Sequence, residues 1–399
     1  ATTIEAVSKE AAGAKFEGWS CGVYADVNGT DVGEISFNDL TITASGGERS
    51  VGIYFQAPNR NSVFTINGDL NITVDEDAPD HLALWVDNTA KLSLLGATSN
   101  LHGGVSVDQN AELELGGNVS VTGNVNIEGQ LTGSGNLVID AENGSVSFTG
   151  ANDNRIGNLT VSNADFTNTS NIDVTGTITL NNVKIDNLDD GDVEAKDAIY
   201  LGAGTVLRNY GHFDADNWVL LEGSKYLEAY DEGDPEFSNG NMVHDSGRVE
   251  FAGGLYGLVS DENALKSWTL TTDREEAAEW GDDYTQPQLV ISASEYDWDY
   301  VTVDSTATET NALEVTGGAL KLGAFNAQLG RAAVTGGEFH ADTLNSSGAF
   351  TMNVGEKGTF TVGKFVGAEG ANFTLASGEM SVDNLDLTNG FLTIAEGAN

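Results

Sequence analysis

Short apolar–polar–apolar triplets alternate with glycine in the middle of the chain, as in NVSVTGNVNIEGQLTGSGNLVIDA over residues 118–141. The apolar residues form pairs two positions apart: Val119/Val121, Val125/Ile127 and Leu137/Ile139. Each pair points to one face of a β-strand, and the residue between its members points to the other face. Gly123, Gly129 and Gly135 follow, and glycine permits backbone angles that other residues resist. Very short strands with a corner after each predict a chain that winds and stacks on itself, because hairpins need longer strands.

The C-terminal quarter shows a longer period when it is aligned on Gly318, Gly337, Gly358, Gly378 and Gly397, which lie 19 to 21 residues apart. Apolar residues stand two, four and seven positions after the first four glycines: Leu320/Leu322/Phe325, Phe339/Ala341/Leu344, Phe360/Val362/Phe365 and Met380/Val382/Leu385. A second set of apolar pairs precedes the glycines: Leu313/Val315, Ala332/Val334, Met352/Val354, Phe373/Leu375 and Leu392/Ile394. A period near 20 residues with several short strands is typical of one rung of a parallel β-helix, which buries its inward residues against the neighbouring rungs.

These patterns predict an all-β fold, a right-handed parallel β-helix (solenoid) with about 20 residues per rung. The varying step favours the right-handed form, and the tandem hexads of residues 118–141 are the one place where left-handed geometry stays open. Asn118, Asn124 and Asn136 stand at equivalent corners. We expect their side chains to form a ladder of hydrogen bonds between rungs.

The pattern also suggests four regions. Residues 1–60 are predicted as an irregular N-terminal cap with the first rungs, 61–217 as β-helix, 218–300 as an aromatic-rich insertion, and 301–399 as further β-helix.

The insertion holds four of the six tryptophans and six of the ten tyrosines. A capping box from Thr272 to Glu275 predicts a short helix ending near Gly281. One interpretation is an excursion or side subdomain that displays ligand-binding aromatics: Trp218, Trp268, Trp280, Tyr296 and Trp298. The other is an insertion whose aromatic side chains form a small core of their own.

The formal net charge is −44, from 61 acidic and 17 basic side chains. Such a chain repels nucleic acid, because binding a phosphate backbone depends on clustered Lys and Arg. High acidity is also typical of soluble extracellular proteins. Cys21 is the only cysteine, so an internal disulfide is excluded, and we expect Cys21 to be a buried small residue.

Calcium takes six to eight oxygen ligands, which acidic clusters can supply. The candidate ligands are Asp186, Asp190, Asp192, Glu194, Asp297 and Asp299. In the stretch EYDWDY, residues 295–300, the acids alternate with aromatic residues and so form one acidic face of a strand. The alternative for each cluster is a solvated acidic surface without a bound ion.

Many β-helices cleave polysaccharides, and the polygalacturonase type resembles this chain at two points only. Asp189-Asp190 and Gly211-His212 match its middle elements, but Phe213 replaces the glycine after the histidine. The first Asn-Thr-Asp element and the last Arg-Ile-Lys element are missing. The sequence therefore predicts a protein that is not an enzyme.

The combination of features resembles the passenger domain of a bacterial autotransporter of the β-helical adhesin type. The resemblance is carried by GIYF (52–55), FTINGDLNITV (64–74), HLALWVDNTAKLSLLG (81–96) and the rung repeats up to Gly397. It implies type V secretion, display outside the cell, and an outer-membrane barrel linked downstream. The chain is therefore expected to continue past Asn399. The family carries no shared catalytic residues onto these positions.

The resulting hypothesis is a non-enzymatic extracellular surface stalk, with a role in virulence, that mediates adhesion or bacterial cell–cell self-association. Its partner would be a host-cell or bacterial surface receptor, protein or glycan, or a second copy of the chain. The alternatives are a carbohydrate-active β-helix, such as a glycan hydrolase or a phage tailspike-like protein, and a surface-layer or filament protein.

Overall fold

The structure, a computed structural model, describes residues 1–7, 18–27, 34–57, 62–78, 80–229, 237–238, 241–260, 263–272, 277–278, 284–307, 309–388 and 390–399. It confirms the predicted all-β parallel β-helix. The chain divides into two compact units. Unit 1 comprises residues 1–199 and 204–214, and unit 2 comprises residues 200–203 and 215–399.

The strands of the first half are β1 (Thr2–Val7), β2 (Trp19–Asp26), β3 (Glu34–Phe37), β4 (Leu40–Ser45), β5 (Arg49–Ala57), β6 (Val63–Ile66), β7 (Leu70–Val74), β8 (Asp80–Asn88), β9 (Lys91–Leu94), β10 (Thr98–His102), β11 (Gly104–Val107), β12 (Glu112–Leu115), β13 (Asn118–Thr122), β14 (Val125–Ile127), β15 (Gln130–Gly133), β16 (Asn136–Phe148), β17 (Asp153–Ile156), β18 (Leu159–Asn168), β19 (Asn171–Val174), β20 (Thr177–Asn187) and β21 (Asp192–Ala195).

The strands that follow are β22 (Ala198–Leu201), β23 (Val206–Asn209), β24 (His212–Ala215), β25 (Asn217–Leu221), β26 (Lys225–Glu228), β27 (Phe237–Ser238), β28 (Asn241–His244), β29 (Arg248–Ala252), β30 (Leu255–Leu258), β31 (Ser267–Thr271), β32 (Gln288–Ile291), β33 (Glu295–Asp304), β34 (Leu313–Val315), β35 (Ala319–Ser346), β36 (Ala349–Gly367), β37 (Asn372–Ser377), β38 (Met380–Asp386) and β39 (Phe391–Ile394).

The tandem hexads of residues 118–141 form one complete rung and the start of the next. Strands β13, β14 and β15 are its three sides, and β16 begins the following rung with Asn136 opposite Asn118. The inward pair Val119/Val121 is buried between rungs, with Leu101 on one side and Ile139 on the other. The apolar pairs therefore become inward residues because each strand turns alternate side chains toward the axis of the coil.

The C-terminal register agrees with the predicted alignment at most positions. Gly337 lies opposite Gly358, and Phe339, Ala341 and Leu344 lie opposite the corresponding residues of the next rung. One pair differs: Phe373 lies opposite Phe350, and Leu375 opposite Met352. The alignment that placed Met352/Val354 beside Phe373/Leu375 is therefore wrong by two residues, and the ladder shifts register after Met352.

The cores of both units are apolar, but unit 1 also encloses a column of amides. Asn168, Asn187 and Asn209 are buried, and each amide donates to the next at 2.7 Å. A buried amide is costly unless it is hydrogen-bonded, so stacking the same residue on successive rungs satisfies each one with its neighbour.

The predicted corner ladder is confirmed for two of its three residues. Asn136 donates to Asn118 at 2.7 Å, and Asn158 extends the ladder by donating to Asn136 at 2.7 Å. Asn124 takes a different role, because its side-chain oxygen accepts the backbone N–H of Ser145.

Most of the described strands in residues 1–60 and 218–300 form rungs, whereas β27 pairs antiparallel with β28. Strands β1, β2 and β3 pair in parallel with β4, β5 and β6. Strands β29 and β31 likewise pair in parallel with β32 and β33. Of the helix predicted after Thr272, residues 277–278 are helical and the remainder lies outside the described residues. Across the described residues, the structure contains no helix with the length and apolarity required to cross a membrane.

Candidate functional site

Unit 1 presents three outward sides with different chemistry, one followed over eight rungs and the other two over five. The neutral face has two outward residues on each of eight strands. On β1, β4, β7, β10 and β13 they are Thr3, Glu5, Thr41, Thr43, Asn71, Thr73, Asn100, His102, Ser120 and Thr122. On β16, β18 and β20 they are Val138, Asp140, Thr160, Ser162, Thr179 and Asn181. The aromatic face consists of Tyr24, Asp26, Tyr54, Gln56, Trp85, Asp87, Ser106, Asp108, Asn126 and Glu128. The ion-paired face consists of Glu34, Ser36, Val63, Thr65, Lys91, Ser93, Glu112, Glu114, Gln130 and Thr132.

The neutral face contains two columns of mostly short polar side chains that run across eight consecutive rungs. Its sixteen positions include two carboxylates, Glu5 and Asp140, and no Lys or Arg. The Asp140 carboxylate is occupied by local hydrogen bonds, because it accepts from the Asn163 amide at 3.0 Å and from the backbone N–H of Glu142 at 3.1 Å. On a chain of charge −44, these two columns are a nearly uncharged strip, bordered on one side by the exposed carboxylates of Asp39 and Asp69.

The side chains of the neutral face are accessible and partly ordered. Its residues in β4, β7 and β10 are all exposed, and the Asn100 amide donates to the Asn71 side-chain oxygen at 2.9 Å. Hydroxyl and amide groups can both donate and accept hydrogen bonds, whereas an ionised carboxylate only accepts. The neutral face can therefore pair with a second surface of its own kind.

The ion-paired face is held by a lysine between two carboxylates on the next rung. The Lys91 ammonium lies 2.9 Å from Glu112 and 3.0 Å from Glu114. The Ser93 hydroxyl donates to Glu114 at 2.8 Å, and this bond together with Lys91 lowers the pKa of Glu114 against the opposing effect of burial. A shallow polar depression beside this network is lined by Thr89, Lys91, Asn110, Ala111, Glu112, Gln130 and Asn152. A glutamate that acts as a general acid must hold its proton near neutral pH, and this requires a raised pKa. The pKa of Glu114 is lowered instead, so this side chain does not fit that role.

The aromatic face carries a stack of rings on its outward side. Tyr54 stacks on Trp85 with centroids 4.4 Å apart and planes 17° apart, and Tyr24 follows at 5.2 Å from Tyr54. The Arg49 guanidinium lies 4.4 Å from the ring of Trp19 and 5.3 Å from that of Trp85. Outward aromatic residues at these positions cover one another because rungs repeat at about 4.8 Å, close to the distance between the centroids of stacked rings.

Four of the five aromatic residues predicted as ligand contacts lie in the described part of the chain, and they belong to one aromatic cluster in unit 2, with Trp268 and Trp298 buried and Trp218 and Tyr296 half-buried. Trp268 and Trp298 are buried and lie 5.8 Å apart, centroid to centroid. The Tyr296 hydroxyl donates to the Gly254 carbonyl at 3.2 Å and accepts from the Gly253 N–H at 2.8 Å.

Trp218 joins the same cluster through Tyr226, at 4.7 Å between ring centroids, and Trp280 lies outside the described residues. As a correction to the ligand-display interpretation, a ligand cannot reach Trp268 or Trp298, because both occupy inward strand positions like those of Val301 and Leu322. Their burial agrees with the alternative in which the aromatic residues form a core.

The candidate calcium ligands are distributed over different strands and are not brought together. Asp186 lies on β20, 3.9 Å from Arg208, whereas Asp192 and Glu194 lie on β21, which belongs to another sheet. Asp190 is exposed in the intervening turn.

Asp297 and Asp299 are exposed on β33, as the alternation in EYDWDY predicts, and Asp297 lies opposite Lys321. Across the part of the chain that the structure describes, no three His, Cys, Asp or Glu side chains could hold a metal ion. The calcium interpretation therefore gains no support from this geometry.

Cys21 lies on β2 opposite the buried Val51 and is itself half-buried, so the structure bears out the expected burial only in part. Burial raises the pKa of its thiol to about 11, so at neutral pH little of the group is the reactive thiolate.

Comparison of the chain with models of protein families, with curated proteins and with solved structures found no match. The neutral face was missed by the sequence reasoning because its neighbouring residues are 18 to 38 positions apart along the chain. Asn71 and Asn100, for instance, become neighbours only after a turn of 29 residues. A scan for uncharged outward positions at equivalent places in each rung would have found this face.

Proposed function

We propose that this chain is a non-enzymatic extracellular surface protein that makes adhesive contacts through its neutral face, with a second copy of the chain as the principal partner. Secretion as an autotransporter passenger, with display on a bacterial surface, is the setting that the sequence resemblance supports. The observation that carries the proposal is the two-column strip across eight rungs of unit 1, in which twelve of the sixteen residues are Thr, Asn or Ser.

Electrostatics favour this side of unit 1 for contact between copies. Two chains of charge −44 repel each other within a Debye length of about 8 Å at physiological salt. Burying an unpaired carboxylate at a contact is costly, and opposed carboxylates cannot donate hydrogen bonds to each other. The neutral face avoids both costs over most of its length.

The size of the face indicates weak individual contacts that add up. Eight rungs at about 4.8 Å give a length of about 34 Å, so a contact between two copies buries on the order of 1,000 Å² in total. That area lies at the lower limit for a stable complex. Many copies on one surface would strengthen the contact through avidity, as cell–cell adhesion requires.

A bead-clumping assay tests the proposal. Beads coated with the chain should clump, and the triple variant Thr73→Asp/Asn100→Asp/Thr160→Asp should abolish clumping by placing three carboxylates on the neutral face. A matched variant, Ser36→Asp/Thr65→Asp/Gln130→Glu, adds the same charge to the ion-paired face and should still clump. Equal loss in both variants would mean that total charge, not the neutral face, governs contact.

A further inference from the structure

The aromatic face carries a second surface feature, where its column of rings ends. Along this column Tyr24, Tyr54 and Trp85 are followed on the next rungs by Ser106 and Asn126. Tyr54 stacks on one side of the Trp85 indole. The residue on the opposite side is Ser106, whose side chain is too small to cover an indole ring. Trp85 is half-buried, and its ring thus forms the wall of a shelf whose floor is Ser106 and Asn126.

Carboxylates border this shelf in fixed positions. The Trp85 indole N–H donates to both oxygens of Asp108 at 3.2 Å, and the Ser106 hydroxyl donates to the same residue at 3.0 Å. Asp87 accepts from the Tyr54 hydroxyl at 3.0 Å. These hydrogen bonds hold two carboxylates at the edge of the indole ring, so a ligand there meets an already ordered site.

The carboxylates also repel each other. Burial raises the pKa of Asp108, and the neighbouring Asp87 raises it further, although hydrogen bonds from Trp85 and Ser106 oppose the change. A positive charge placed between the two residues would relieve this repulsion.

We propose that this shelf, together with the carboxylates of Asp87 and Asp108 that border it, binds a cationic side chain, specifically a guanidinium or ammonium group of a basic polypeptide segment. The face of an indole attracts cations, and the attraction grows when carboxylates stand beside the ring. The chain supplies an internal precedent, since the Arg49 guanidinium lies 4.4 Å from the ring centroid of Trp19 and 5.3 Å from that of Trp85. Charge complementarity with a chain of −44 favours a basic partner over an acidic one. The shelf and the neutral face are different sides of unit 1, so this proposal does not depend on the proposed function.

The test uses the full chain and a terminally blocked tetra-arginine peptide, followed by tryptophan fluorescence and calorimetry at low and physiological salt. Ser106→Tyr extends the ring stack over the exposed side of Trp85 and should weaken binding at least about tenfold. Thr167→Tyr places the same ring further along the same column and should leave binding unchanged. Asp108→Asn should weaken binding by a smaller factor, and circular dichroism should show the same fold for every variant.

Three results would overturn the proposal. Equal binding of the peptide to the wild type and to Ser106→Tyr would reveal diffuse attraction to an acidic surface. Binding of a neutral gluco-oligosaccharide that Ser106→Tyr abolishes, without a matching effect on the peptide, would identify a sugar platform. A wild-type chain that binds neither probe at low salt would show that the shelf is only a structural end of the ring stack.

Discussion

The side-chain amide of Asn100 donates a hydrogen bond to the side-chain oxygen of Asn71 across neighbouring rungs, at 2.9 Å. Both residues are exposed and stand in the middle of the neutral face. An amide group has two donor hydrogens and one acceptor oxygen, so the bond orders both side chains and leaves further hydrogen-bonding capacity for a partner. Ordering before contact lowers the entropy that association would cost. The Asn71–Asn100 hydrogen bond therefore reduces the entropy that the neutral face would lose in the proposed contact.

The column of buried amides formed by Asn168, Asn187 and Asn209 should contribute to the stability of the fold rather than to contact between copies. Asn187 accepts from Asn168 at 2.7 Å and donates to Asn209 and to the backbone carbonyls of Gly191 and His212. Replacing Asn187 with Ala leaves several buried groups without partners. We expect the free energy of unfolding to fall by about 2–4 kcal/mol, measured by urea denaturation.

The corner ladder formed by Asn118, Asn136 and Asn158 provides the control for this comparison. Asn136→Ala also removes two ladder hydrogen bonds of 2.7 Å, but water can replace them at its half-exposed position. Asn136→Ala should therefore lower the free energy of unfolding by about 1 kcal/mol or less. Equal losses for the two variants would contradict the claim that burial sets the cost of breaking a ladder.

The Lys91 network should make stability depend on pH in the acid range. Because the pKa of Glu114 is lowered in the folded chain, its contribution is present above the unfolded value near 4.5 and is lost as the pH falls through the folded pKa. Glu114→Gln should therefore lower the free energy of unfolding at pH 7 by less than about 1 kcal/mol, since the pair is partly exposed.

Chemical denaturation of both proteins across a pH series checks this prediction. The difference between the wild type and Glu114→Gln should shrink as the pH falls below about 4.5. At pH 7 it should also be smaller when Lys91 is replaced by Met, and the Ser93 hydrogen bond accounts for the part that remains. A difference that stays constant down to pH 3 would rule out the ion pair as its origin.

The sequence predicts the rungs well because inward residues repeat with the geometry of a strand. Val119/Val121 and Phe339/Ala341 occupy the inward positions that their spacing predicts. The roles of Trp268 and Trp298 were harder to predict, because a large aromatic residue is equally compatible with a core and with a ligand surface.

The columns that outward residues form on successive rungs could not be predicted from the sequence for another reason. The distance from one rung to the next ranges from the 18 residues between Asn118 and Asn136 to the 40 between Arg248 and Gln288. Register between outward residues therefore depends on loop lengths that carry no apolar pattern. The neutral face and the shelf beside Trp85 became visible only when that register was known.

The central claim is that copies of the chain associate through the neutral face, and sedimentation velocity across a salt series tests it most directly. Screening weakens the repulsion between two chains of −44 but leaves hydrogen bonds between neutral groups intact, so association of the wild type should strengthen as sodium chloride rises. The Thr73→Asp/Asn100→Asp/Thr160→Asp variant should stay monomeric at every salt concentration, whereas Ser36→Asp/Thr65→Asp/Gln130→Glu should associate like the wild type. A wild-type association that weakens steadily with salt, or one that the neutral-face variant retains, would contradict the account.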